Sequence, residues 1–144
     1  MLREILTYPI EPAQMEEELS FFAEHMRALG YAGGDVLFGS FWGGEYYPTS
    51  RWEYERISFD ALVAKVAQVE ASGIGQLGRD DLWVKIPGLE VEFRFCNDCD
   101  IHITYEFSTE LAETFYQRWK SRGFQPREWV VAANGPPTER LRFN

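Results

Sequence analysis

The sequence predicts an α+β domain, and three observations carry that reading. Between Asp81 and Phe107, apolar and polar residues alternate through three successive runs. Elsewhere apolar residues recur at spacings of three and four, and glycines and prolines separate the two kinds of segment. A period of two sends alternate side chains to opposite faces of a sheet, whereas a period near 3.6 gathers them on one face of a helix. Helices interspersed with antiparallel runs pack as a sheet with helices laid on it.

Residues 3–8 predict a short first strand. Pro12 suits the first turn of a helix, along which Met15, Leu19, Phe22, Met26 and Leu29 share one face. Gly30 ends it, because glycine enters the left-handed cap conformation at little cost. Residues 35–42, rich in aromatics, predict a strand; Gly43-Gly44 and Pro48 interrupt the chain, and residues 51–57 predict another. Ser58 suits an N-cap, with Phe59, Leu62, Val63, Val66 and Val69 on the inner face of a second helix that Gly73 stops.

Residues 81–107 predict a three-stranded antiparallel meander. Leu82, Val84, Ile86, Leu89, Val91, Phe93, Phe95, Ile101, Ile103 and Tyr105 form its buried face. A turn at Pro87-Gly88 sets Lys85 opposite Glu90 and Trp83 opposite Glu92. Across the second turn Phe95 faces Ile103, Cys96 faces His102, Glu92 faces Glu106 and Arg94 faces Thr104. Ser108 or Thr109 caps a third helix, with Leu111, Phe115 and Trp119 inward and Gly123 at its end. Asn134-Gly-Pro-Pro suits the turn of a last hairpin. Residues 1–144 together predict one domain, its antiparallel sheet packed against about three helices.

Composition narrows the function. The chain has 144 residues, 45% of them hydrophobic, so a core forms without metal or disulfide. Its net charge is −9, from 23 acidic and 14 basic residues. Such a surface repels phosphate, which argues against nucleic acid or an anionic membrane and favours a basic partner. No run of 18 apolar residues occurs, and the N-terminus lacks the apolar core of a signal peptide. Two cysteines suit a reducing compartment. The expectation is a cytoplasmic protein.

Two stretches carry candidate chemistry. Gly73-Ile-Gly75-Gln-Leu-Gly78 has the letters of a dinucleotide fingerprint, but it follows a helix and leads into a strand, the reverse of what that motif needs. Cys96, Cys99 and His102 bring together two thiols and an imidazole, ligand types that zinc accepts. A structural zinc takes four ligands, and the nearest source of a fourth is Asp98 or Asp100. No metal and no cofactor is expected here. The neighbouring acids also oppose thiolate formation, which speaks against a redox pair. Glu92 beside Glu106 and His102 offers an acid–base grouping, so a small enzyme or metal-binding protein built on Cys96, Cys99, His102 and Glu92 is the alternative reading. The chain contains no G-x-S-x-G nucleophile signature.

The segment 38–54 concentrates Phe38, Phe41, Trp42, Tyr46, Tyr47, Trp52 and Tyr54 among glycines and acids. Tyrosine and tryptophan bury large areas at small entropic cost, which makes them binding anchors. Trp42, Tyr46 and Tyr47, with Glu45 and Glu53, are the expected contacts to a basic protein partner.

Phe93-Arg-Phe-Cys-Asn-Asp-Cys-Asp-Ile-His-Ile-Thr-Tyr, followed by a helix ending Trp119-Lys-Ser-Arg-Gly-Phe, resembles segments of small bacterial toxin-immunity-type proteins. Those are acidic cytoplasmic domains that bind and block a cognate toxin. The resemblance implies a non-enzymatic, inhibitor-like binding module and assigns no functional residue.

Overall fold

The computed structural model describes residues 1–39, 41–49, 52–131 and 135–142. Eight strands form one antiparallel sheet: β1 (Leu2–Leu6), β2 (Gly33–Phe38), β3 (Glu55–Ser58), β4 (Leu82–Ile86), β5 (Val91–Phe95), β6 (Ile101–Tyr105), β7 (Arg127–Val131) and β8 (Thr138–Arg140). Their spatial order is β3-β2-β4-β5-β6-β1-β7-β8. The helices are α1 (Pro12–Ala28), α2 (Trp42–Tyr46), α3 (Leu62–Ala71) and α4 (Thr109–Ser121). The α+β expectation holds: the eight strands match the expected number, and the short helix α2 is added to the three expected helices.

The meander forms where expected. Leu82, Val84, Ile86, Val91, Phe93, Phe95, Ile101, Ile103 and Tyr105 are all buried. They share a core with Met15, Phe22 and Met26 of α1, Leu62 and Val66 of α3, and Phe115 and Trp119 of α4. The helices therefore cover one sheet face. The alternate residues Glu4, Trp83, Lys85, Glu92, Arg94, His102 and Thr104 lie on the other face. Glu18 clamps α1 to α4: its buried carboxylate accepts from Arg118 at 2.7 Å and from Trp119 Nε1 at 3.1 Å.

Both meander registers differ from expectation by two residues. Lys85 pairs with Glu92 and Trp83 with Arg94. Phe95 pairs with Ile101, Arg94 with His102 and Glu92 with Thr104, so Glu92 and Glu106 are not opposed. The first loop explains its own shift. Two-residue hairpin loops need positive φ at their first position, which proline cannot adopt. The loop widens to residues 87–90, with Gly88 at φ 84° and Glu90 at φ 52°, and Leu89 becomes a half-buried turn residue. The second loop is tightened by Cys96 N–H donating to Asp100 O at 2.8 Å. A shift of two preserves the parity of the pleat, so the buried face was right although the partners were not.

Other boundaries move. The first strand ends at Leu6, and β2 runs from Gly33 only to Phe38, short of the expected end at residue 42. Ser58 closes β3 opposite Gly33 instead of capping α3, whose N-cap is Ala61. Arg51 of the expected strand 51–57, and Asn134 of the expected turn, lie outside the described residues; the hairpin strands β7 and β8 flank that turn. The glycine run 73–78 connects α3 to β4, and Gly75 is needed for packing: a Cβ there would meet Trp42 Cβ at 2.4 Å. Among the described residues no helix is long and apolar enough to cross a membrane.

Candidate functional site

The open sheet face carries a charge cluster centred on His102. Strand pairing sets Leu6 and Arg94 on either side of His102, and brings Glu4 next to Thr104. His102 Nδ1 lies 3.2 Å from Glu4 Oε1, and Nε2 lies 3.0 Å from Asp100 Oδ1. Both partners are acceptors, so both ring nitrogens donate and the ring is an imidazolium. Burial alone would lower its pKa, but hydrogen bonds to Asp100, Cys96 and Glu4 hold it up at about 11. Burial pushes Asp100 upward, and hydrogen bonds from His102 and Asp98 outweigh it, leaving that carboxyl at about 2. Glu4 follows the same logic and sits below its ordinary value.

Arg94 completes the cluster. Its Nε donates to Cys96 Sγ at 2.8 Å, and its guanidinium stands 5.1 Å from the Trp83 ring centre. Burial raises the Cys96 thiol above its ordinary pKa despite His102 and Arg94. The thiol is therefore neutral at pH 7, and a neutral thiol is a poor nucleophile.

The candidate trio of Cys96, Cys99 and His102 does not assemble. Cys99 takes a left-handed conformation, φ 64°, and its sulfur packs beside Gly78 on the helix-covered side. Asp100 takes its place: donor atoms of Cys96, Asp100 and His102 lie within 4.8 Å of one another. The spacing suits a small cation, but the chemistry opposes one. A metal needs a histidine lone pair and a thiolate, whereas here both imidazole nitrogens hold protons and Arg94 puts a positive charge on the sulfur. Glu92 stays apart, facing Thr104 and standing 4.0 Å from Lys85 Nζ. Burial raises its pKa, against the pull of Lys85 and Arg94. The cluster acts as a charge lock joining β1, β6 and the loop before β6.

The second region lies beside the edge strand β3. Trp42, expected on a partner surface, is a core residue with 0% exposure. Its Nε1 donates to Asp81 O at 2.6 Å, and its ring packs edge-on to Phe38. The physical reason is α2, which folds the aromatic run back over the core instead of letting it continue as strand. Gly43 permits this, because a Cβ there would meet Phe38 O at 2.5 Å. Tyr46, expected in a loop, is the last residue of this helix, and Tyr47 follows it as an extended C-cap; both are half-buried. Tyr46 donates to the Glu55 carboxylate, and Tyr47 Oη accepts from Phe38 N–H at 3.0 Å.

Around them is a surface depression of about 420 Å³, lined by Tyr46, Tyr47, Pro48, Thr49, Glu53, Tyr54 and Glu55. Burial raises all three phenol pKa values, so the rings are neutral. Lys65 Nζ lies 5.3 Å from the Tyr46 ring centre and Lys85 Nζ 4.4 Å from that of Tyr54. Glu53, one of the lining residues, is exposed; Glu45, one residue before Tyr46, is exposed but outside the lining. Tyr54 lies within the aromatic segment 38–54 and Glu55 is an acid bordering it, but neither was among the expected partner contacts. Sequence reading missed Glu4 because nothing local to β1 announces its pairing with β6. Comparison with family models, curated proteins and solved structures gave no match to this chain.

Proposed function

We propose that this chain is a non-enzymatic binding domain, of the immunity or inhibitor kind, that holds a basic protein partner. The observation that supports it most is the tyrosine-lined depression at the β3 edge, with Glu53 and Glu55 in its lining and Glu45 exposed one residue before Tyr46, on a chain of net charge −9. Aromatic rings supply contact area, and the surplus of carboxylates speeds encounter with a basic surface. The His102 cluster favours the same reading by elimination, since its imidazolium, neutral thiol and low-pKa carboxylates are committed to one another.

The test starts from the protein encoded beside this one in its native genome, co-expressed and co-purified with it. A one-to-one complex is expected, with association slowed by Glu45→Lys and Glu53→Lys and by added salt. A complex indifferent to both charge reversals and to salt would overturn the reading. So would turnover of a small substrate by the purified chain.

A further inference from the structure

Resting on that reading, we propose that the depression between α2 and β3 is a subsite for one basic side chain of the partner, a lysine or an arginine. Tyr46, Tyr47 and Tyr54 contribute aromatic surface, Pro48 contributes an apolar wall, and Glu53 and Glu55 contribute negative charge. This composition matches a cation on an alkyl stem. The stem lies against rings and proline, and the charged head meets ring faces and carboxylates.

Three further observations support a cationic occupant over a neutral one. The chain's own Lys65 and Lys85 stand over the Tyr46 and Tyr54 rings, so these rings already attract ammonium groups. Lys85 is itself offset by Glu92 at 4.0 Å, and its charge does not dominate the depression. Glu53 has no hydrogen-bond or ion-pair partner among the described residues, and Glu55 accepts only from the neutral Tyr46 hydroxyl. A carboxylate so placed gains a charge-assisted hydrogen bond when a cation arrives.

The probe is hexalysine, titrated at low salt into ¹⁵N-labelled protein, with hexa-arginine in a parallel arm. Shifts should concentrate at Tyr46, Tyr47, Glu53 and Tyr54. Tyr54→Leu keeps an apolar side chain but removes the ring; it should weaken binding roughly two- to fivefold, the cation–π share at an exposed site. Glu53→Gln should weaken it by at least as much, and neither variant should change the melting temperature by more than a degree or so, as expected of exposed positions. Binding that maps elsewhere, such as the Glu16, Glu17 and Glu24 face of α1, or that ignores Tyr54→Leu, overturns the subsite and leaves the basic-partner reading standing. Failure of both peptides to bind at millimolar concentration overturns the two together.

Discussion

The His102 cluster and the tyrosine depression hold similar ingredients and use them in opposite ways. Both combine carboxylates, cations and aromatic rings at the surface of one sheet. At His102 each charge has found its partner within the chain: imidazolium between Glu4 and Asp100, guanidinium between Cys96 and the Trp83 ring. At the β3 edge, Glu45 and Glu53 face solvent and the rings line an open hollow. Position in the sheet accounts for the difference. β6 lies between β5 and β1, so its side chains are flanked on both sides, whereas β3 is an edge with one neighbour. Chemistry that looks reactive in sequence is thus used internally at the centre, and the region free to meet a partner is peripheral.

Mutations can break or sharpen this contrast. The largest effect should come from Trp42, which stands beneath the open region yet belongs to the core. Trp42→Ala should cost about 3–5 kcal/mol in urea unfolding, as large buried aromatics do. A loss under about 1 kcal/mol would mean that the ring can leave the core, and that the boundary between the regions is misplaced.

His102→Leu comes next. It removes the imidazolium that bridges Glu4 and Asp100, leaving Arg94 as the remaining cation beside Glu4, and should cost about 3 kcal/mol, the lower end for a broken buried pair. Adding Asp100→Asn should recover part of that loss. If the double variant is as unstable as the sum of the single ones, the two residues are not coupled.

The pH dependence is smaller and has a definite sign. His102 is raised from 6.5 to about 11, so its contribution is complete below about pH 6.5 and fades as pH rises towards 11. Asp100 is lowered from 3.8 to about 2, so its contribution is complete above about pH 3.8 and fades below it. The melting temperature should therefore decline between pH 7 and 10, and a His102→Gln variant should decline less over that range. Equal slopes would dissociate the imidazolium from stability.

Glu53→Gln should change stability by less than about 0.5 kcal/mol, the usual limit for an exposed site, while weakening association with a basic partner. Smallest of all is the response to zinc. Equimolar zinc at pH 7 should leave the melting temperature unchanged, because the ion would have to displace two protons and the Arg94 charge. A rise in melting temperature that disappears in Cys96→Ser would return the metal reading to the cluster.

How far the sequence was legible depends on how local each signal is. Alternation through Leu82–Tyr105 placed three strands and their buried face correctly, because each strand reads its own pleat. Helix α1 was legible from Pro12 onwards for the same reason. The cross-strand partners were not, since a loop two residues longer or shorter keeps the alternation intact. Asp100 was legible only as one of two neighbouring acids, and Glu4 not at all, because it reaches His102 across 98 positions of sequence. In the segment 38–54 the aromatic count was plain, but which rings turn inward depended on α2, a helix of five residues with two glycines that leaves no periodic trace.

The sequence by itself determined the class of fold, the inner face of the meander, the acidic surface and the segment where aromatics gather, since these follow from composition and short-range period. Tertiary structure alone decided that Trp42 is core, that Cys99 turns away from His102 while Asp100 turns towards it, and that Tyr54 and Glu55 join Tyr46 and Tyr47 around one hollow. The physical reason is common to all of them. Each outcome depends on a backbone direction set by contact with a distant segment: Gly75 against Trp42, Gly78 against Cys99, and β1 against β6.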